Sequence, residues 1–308
     1  AEVEASIDRY LEQLAAADEA EPAEDKTRRL EDKIAAMRRE MARLKKLEAR
    51  MLKAPDKQVS LTDPDARSMK TRGTGIVGYN VQTAVDTKHH LIVTHEVTNE
   101  GTDRRQLSNM SKQAKSIIAT EALTAVADRG YYRSEELKDC EEANITTYLP
   151  KPQTSGNQAK GQFGRDAFHY IVEDDEYECP AGERLVRHGS VQDKGRTMHP
   201  YWASVCRQCP LKTQCTSGAY RKMTRWEHET VLERAQARLD RSPDAMRIRR
   251  ATVEHPFGTL KAWMGSTHFL TKTLDRVSTE MSLHVLAYNM KRMMNIIGTK
   301  SLIEAIGV

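Results

Sequence analysis

Apolar residues recur at helical intervals through the first fifty positions. Val3, Ile7, Tyr10 and Leu14 are spaced by four, three and four residues, and Leu30, Ile34, Met37, Met41 and Leu44 follow a 4-3-4-3 seam that resumes at Met51. The spacing predicts two helices over residues 1–53, broken near Pro22. From Ala54 to Gly75 the period is lost, and Pro55, Pro64, Gly73 and Gly75 mark a linker over residues 54–75. Next come two runs rich in β-formers, Ile76–Val85 and Leu91–Val97, with Asp86-Thr87-Lys88 as a polar turn, which predicts a β-hairpin. A helix is expected over Asp103–Ile118, with Leu107, Met110, Ala114, Ile117 and Ile118 on one side. Ala122–Ala127 is apolar but for Thr124, the pattern of a central strand covered on both faces. A helix over Ser134–Ala143 and a strand over Ile145–Leu149 complete a β-β-α-β-α-β order. This is an α/β fold with a mixed sheet flanked by helices.

Residues 76–150 thus form the first part of a core. Over residues 151–222 prolines, glycines and four of the five cysteines collect, with short weak strands near Tyr170 and Leu185. This segment is expected to be an insertion, loop-rich and too small for a core of its own. Residues 223–308 return to helices: Glu227–Leu239, an arginine-rich stretch around Met246–Trp263, and Asp275–Ile297. No capping Ser, Thr, Asp or Asn precedes Ala1, so the first helix is expected to begin upstream and the chain to be a fragment. Loss of an initiating Met is the simpler alternative.

Composition narrows the class. With 39% hydrophobic and 30% charged residues over 308 positions, the chain has enough apolar material to bury a core. No apolar run approaches the roughly eighteen residues of a membrane span, and no signal-peptide pattern opens the chain. Five cysteines, an odd number, are poor arithmetic for a disulfide framework, so a reducing, cytoplasmic location is expected. Charge is segregated at the start: residues 1–25 hold nine acids and residues 26–53 hold eleven bases. Two readings fit, a self-compensating helical hairpin and an arm for dimerisation or approach to DNA.

Two carboxylates stand out. Asp128 follows the apolar strand directly, where open α/β sheets place function and where an oxygen ligand suits a hard divalent cation. The plainer reading is a strand end capping the next turn. Glu254 shares a helical stripe with Arg250 and Lys261, so that a carboxylate-held metal would lie beside cations able to meet phosphate. An ordinary i,i+4 ion pair is the plainer reading there. Pro256 is expected to kink this helix just after Glu254. Cys206-x2-Cys209 is a knuckle that can hold a tetrahedral metal, with Cys179 and Cys215 as further thiolates and His188 or His199 as substitutes. Four reduced cysteines are the alternative. Cys140 is expected to be a buried apolar residue.

These stretches carry a resemblance. Gly78-Tyr79-Asn80-Val81-Gln82, Ala127-Asp128-Arg129-Gly130-Tyr131, Cys206-Arg207-Gln208-Cys209-Pro210 and Thr252–Lys261 resemble bacterial insertion-sequence transposases of the DDE class, in the branch with a cysteine-bearing insert. The resemblance implies an RNase H-like core in which three carboxylates hold two Mg²⁺ ions for phosphodiester cleavage and strand transfer. It places Asp128 as the second Asp and Glu254 as the third carboxylate. Arg250, Glu254 and Lys261 fit the family's Tyr-x2-Arg-x3-Glu-x6-Lys signature, with Arg247 in the tyrosine position. Arg247, Arg250 and Lys261 are then the expected contacts to double-stranded DNA at transposon ends and target, helped by Arg221, Lys222 and Arg225. Structural Zn²⁺ on Cys179, Cys206, Cys209 and Cys215, a homodimer and association with the nucleoid complete the expectation. The first Asp, in an Asp-Gly-Ser/Thr motif, has no counterpart upstream of Gly78. Asp63 and Asp65 fall in the linker and Asp86 in the hairpin turn, so an inactive fragment is expected. Two alternatives remain: a non-catalytic, zinc-stabilised DNA-binding or assembly module, and a host nuclease on the same fold.

Overall fold

The computed structural model describes residues 2–19, 24–70, 75–152 and 156–307. They belong to two compact units. The first comprises residues 1–80, 98–101 and 270–277, and the second residues 81–97, 102–269 and 278–308.

In the first unit, α1 (Glu2–Glu19) packs against α2 (Glu24–Lys53), as the two apolar seams require. Ile7 and Ile34 are buried, and Arg9 and Lys33 lie over the Tyr10 ring. The expected break at Pro22 lies outside the described residues. The stretch read as connector contains a strand: β1 (Arg67–Lys70) pairs antiparallel with β2 (Gly75–Gly78). The β-rich run Ile76–Val85 is therefore two strands, because Gly78 ends one pairing before the next begins.

Asp63 organises this unit. It is 8% exposed; its Oδ2 accepts the Tyr79 hydroxyl at 2.7 Å, and its Oδ1 accepts the backbone N–H groups of Asp65 and Thr273. Asp65 Oδ2 accepts the N–H of Leu274. The two carboxylates thus satisfy amides at the start of the helix that begins at Leu274, where the helix dipole favours negative charge. Burial alone would raise the Asp63 pKa, but its hydrogen bonds and the nearby Lys272 charge hold it below the usual carboxylate range.

The second unit follows the expected order: β3 (Asn80–Val85), β4 (Ile92–Thr98), α3 (Leu107–Ile118), β5 (Leu123–Val126), α4 (Ser134–Glu142) and β6 (Ile145–Tyr148). Its sheet differs from the expected one. Among the described residues, β3 pairs only with β4, and β5 only with β6, in parallel. A cavity of about 550 Å³ separates β3 from β5 and is lined by consecutive residues of both strands. Leu123 and Ala127 donate their N–H groups toward the β6 side, so the backbone of Thr124 and Val126 points the other way. The apolar β5 is thus not the fully covered central strand its composition suggests, and Thr124 is exposed. In the main core Leu107, Leu137, Cys140, Ile145, Leu149 and Trp226 pack together. Ile117 and Ile118, expected on the inner face of α3, are 61% and 49% exposed.

The cysteine-bearing segment is more ordered than its composition suggests. Strands β7 (His169–Ile171), β8 (Glu176–Glu178), β9 (Arg184–Arg187), β10 (Val191–Asp193) and β11 (Arg196–Trp202), the short α5 (Lys212–Cys215) and β12 (Met223–Trp226) build a six-stranded antiparallel sheet. It has a core of its own in Phe168, Tyr177, Leu185, Tyr201, Ala203 and Met223, which corrects the expectation of a coreless insert. Scattered aromatics on three-residue strands leave no periodic signal, which is why the sequence pattern missed it.

After it come α6 (Glu229–Asp240), α7 (Ala245–Gly258), α8 (Leu274–Ile297) and α9 (Thr299–Ile306). Pro256 lies inside α7. It is fully buried within the helix, and a π-turn follows over Thr259–Trp263, where Met264 donates to the Thr259 carbonyl. Among the described residues, no helix is long and apolar enough to cross a membrane.

Asp63→Ala should destabilise the first unit by about 2 kcal/mol, because Tyr79 and Thr273 lose a shared buried acceptor. The Asp63 pKa is depressed in the fold, so its contribution is present above about pH 4 and is lost as pH falls through the folded value. Thermal melts of wild type and Asp63→Ala should converge on acidification; a difference independent of pH would contradict this account.

Candidate active site

Asp128 leaves the end of β5 with both carboxylate oxygens engaged. Oδ1 accepts the Gly130 N–H at 2.7 Å, capping the short 3-10 turn Arg129–Tyr131. Oδ2 accepts from Arg249 of α7 at 3.0 Å. The capping role is therefore real, and a long-range tie to α7 coexists with it. A side chain at residue 130 would place its Cβ 2.9 Å from Asp128 Oδ1 and 3.6 Å from Asp103 Oδ2, so the two carboxylates border the same glycine.

Behind this turn lies a polar network that sequence reasoning missed. Tyr131 donates its hydroxyl to Gln82 Oε1 at 2.5 Å, and Gln82 Nε2 donates to Asp103 Oδ1 at 2.7 Å. Burial and the charges of Asp103 and Asp128 push the Tyr131 hydroxyl far above its ordinary pKa, against the opposing Arg249, so it remains a proton donor. The available signal was weak: Gln82 ends the Gly78–Gln82 stretch of the resemblance, and Asp103 opens a predicted helix.

Glu254 is exposed on α7 and lines the wall of the β3–β5 cavity with Arg249 and Phe257. The i,i+4 ion pair that is the plainer reading of this stripe does not form: among the described residues neither Arg250 nor Lys261 pairs with Glu254. The π-turn winds more loosely than an α-helix and carries Lys261 off the straight register. Arg247 pairs with Asp244, and Arg250 and Lys261 are exposed. The helix is held from its other side. Tyr288 gives its only proton to the His90 carbonyl, so His255 Nδ1 carries the hydrogen in its 3.0 Å contact with the Tyr288 oxygen.

Two of the basic residues expected at a DNA surface are structural instead. Arg225 is 4% exposed, lies 3.6 Å over the Tyr170 ring and pairs with Glu233. Arg221 packs over Phe168 and donates to the Cys215 and Phe163 carbonyls. Lys222 lies 6.0 Å over the Trp202 ring.

Cys179, Cys206, Cys209 and Cys215 all line one cavity of about 20 Å³ beside the insert core. They are free thiols, and burial together with the other three cysteines raises the Cys215 pKa against the charge of Arg221. Among the described residues, no group of three or more His, Cys, Asp or Glu side chains is arranged to hold a metal ion. His188 stacks on Trp202 and His199 meets Arg187 and Ser190, so neither substitute ligand lines this cavity. Cys140 is completely buried in the main core, and burial pushes its thiol up to about 12.

Gly130→Ala should displace the Asp128 carboxylate, a flexible group, rather than unfold the turn. Loss of a charge-assisted bond of about 1.4 kcal/mol should speed amide exchange at position 130 about tenfold with little change in melting temperature. Unchanged exchange would show that Asp128 does not hold this amide.

Comparison with known proteins gives one match. Residues 47–290, most of the chain, match the transposase DDE domain family. No curated protein and no solved structure matches. With an acid at the end of β5 tied to a glutamate-bearing helix, and a family match over this span, the chain belongs to the transposase DDE domain family.

Proposed function

We propose that the chain carries the catalytic core of an insertion-sequence DDE transposase of the branch with a cysteine-bearing insert. In this reading its sheet is RNase H-like, and Asp128 and Glu254 are two of three carboxylates serving DNA cleavage and strand transfer at transposon ends. The observation that carries it is the Arg249–Asp128 contact, which fixes the end of β5 to the helix bearing Glu254. Asp128 and Glu254 supply hard oxygen donors suited to Mg²⁺. When bound, the metal activates the attacking oxygen and stabilises the leaving one. Arg250 and Lys261, exposed on the outer side of α7 and its π-turn, meet phosphate oxygens, and Arg247 joins them by exchanging its exposed Asp244 partner. A homodimer acting on double-stranded DNA at the nucleoid fits this reading.

The same reading holds that these 308 residues do not cleave DNA by themselves, for want of the first carboxylate. Asp63 and Asp65 are committed to backbone amides, and Asp86 accepts from Lys88 and His89 within the hairpin turn. Asp128→Asn and Glu254→Gln, in a form extended upstream, should each lower Mg²⁺-dependent cleavage of element-end DNA at least a thousandfold and leave DNA binding intact. Cleavage by the 308-residue chain itself would overturn the inactivity; cleavage by either variant would overturn the site. Normal DNA binding with no cleavage in any form would favour the alternative, a non-catalytic DNA-binding or assembly module.

We also assign structural Zn²⁺ to Cys179, Cys206, Cys209 and Cys215. Four thiols facing one small cavity are the donor set of a tetrahedral site, and closing on the ion needs their loops to draw inward. Protein purified without added zinc should contain about one equivalent, lost in Cys206→Ser/Cys209→Ser. Less than about half an equivalent, unchanged by that substitution, would refute the assignment.

A further inference from the structure

We propose that Gln82, with Tyr131 and Asp103, is a positioning device for Asp128: it pins the short turn whose amide holds the carboxylate, and so sets the direction of that carboxylate before a cation arrives. The inference rests on reading Asp128 as a metal-binding carboxylate and deepens it.

Gln82 is 1% exposed on β3, so both ends of its amide must find partners inside the protein. An ionised carboxylate only accepts, which turns the NH₂ group toward Asp103 and leaves the oxygen for the Tyr131 hydroxyl. The direction of every bond in the chain Tyr131–Gln82–Asp103 is therefore set by chemistry. Tyr131 is the last residue of the turn that closes on Asp128, where Gly130 N–H meets Oδ1 and Tyr131 N–H meets the Asp128 carbonyl at 3.2 Å. The turn is thus held at one end by Asp128 and at the other, through the Tyr131 ring, by Gln82. With Oδ1 fixed, Oδ2 is left on the side of α7, where Arg249 meets it.

Packing alone does not require this arrangement. An apolar side chain of similar size would fill the space without the desolvation cost of an amide. What the amide adds is direction: it locates Tyr131 relative to Asp103, which is itself placed by the Thr102-capped turn Asp103–Arg105. Groups that orient a metal-binding carboxylate in this way typically change metal affinity ten- to a hundredfold when removed.

The test is Mn²⁺ binding to the form extended upstream, in which the first carboxylate is restored, read from depletion of the free-ion electron paramagnetic resonance signal, with thermal melting in parallel. Gln82→Met and Tyr131→Phe should each weaken Mn²⁺ binding about tenfold. Tyr131→Phe removes a single oxygen and serves if Gln82→Met fails to fold. Asp103→Leu should weaken binding similarly, and Asp103→Asn, whose carbonyl still accepts from Gln82, should restore most of that loss. Loss in Asp103→Asn equal to that in Asp103→Leu would make Asp103 a ligand and overturn its positioning role. Asp128→Asn is the control. If it abolishes binding while Gln82→Met and Tyr131→Phe bind as wild type, the positioning inference fails alone. If it binds as wild type, or wild type does not bind, the reading of Asp128 fails and takes this inference with it.

Discussion

The ion pair between Asp128 and Arg249 is the contact that ties the end of β5 to α7, a helix 121 residues further along the chain. It is not strong: the Asp128 side chain is 43% exposed, and a pair of this kind contributes no more than about 1 kcal/mol. Its importance is geometric. A helix can rotate about its axis as it packs, and one fixed contact at Arg249 sets that rotation and with it the side on which Glu254, five residues later, is presented. The His255–Tyr288 contact and the buried Pro256 fix the same helix from its other side.

The insert shows a different use of charge. Arg225 and Arg221 lie against aromatic rings and pair with Glu233 or with backbone carbonyls, holding the insert sheet together rather than facing a polyanion. A buried guanidinium keeps its charge, so it needs both a ring face and an acceptor to be retained inside. The exposed basic side chains on α7 and its π-turn are Arg247, Arg250 and Lys261. A modest net charge of +4 can serve DNA only if it is concentrated on such a face.

The strand β5 separates what periodicity tells from what it does not. An apolar run correctly announced a strand with α3 before it and α4 after it. The same run implied cover on both sides, and here one edge borders a cavity. Burial is a property of the neighbours a strand receives, and no local pattern specifies them. Ile117 and Ile118 make the same point on α3: their spacing fits the apolar stripe, but both side chains are exposed.

The sequence by itself determined the element order of the core, the helical pairing of α1 with α2, the acid at the end of β5 and the glutamate on a basic helix. These are readable because hydrophobic period and residue chemistry act over a few neighbouring positions. The tertiary structure alone decided that Arg249 is the partner of Asp128. It alone brought Gln82, Asp103 and Tyr131 together and gave the cysteine-bearing insert a sheet and a core. Such contacts join positions 21 to 121 residues apart. They depend on how packed elements are rotated against one another, and that information is not carried by any short stretch of chain.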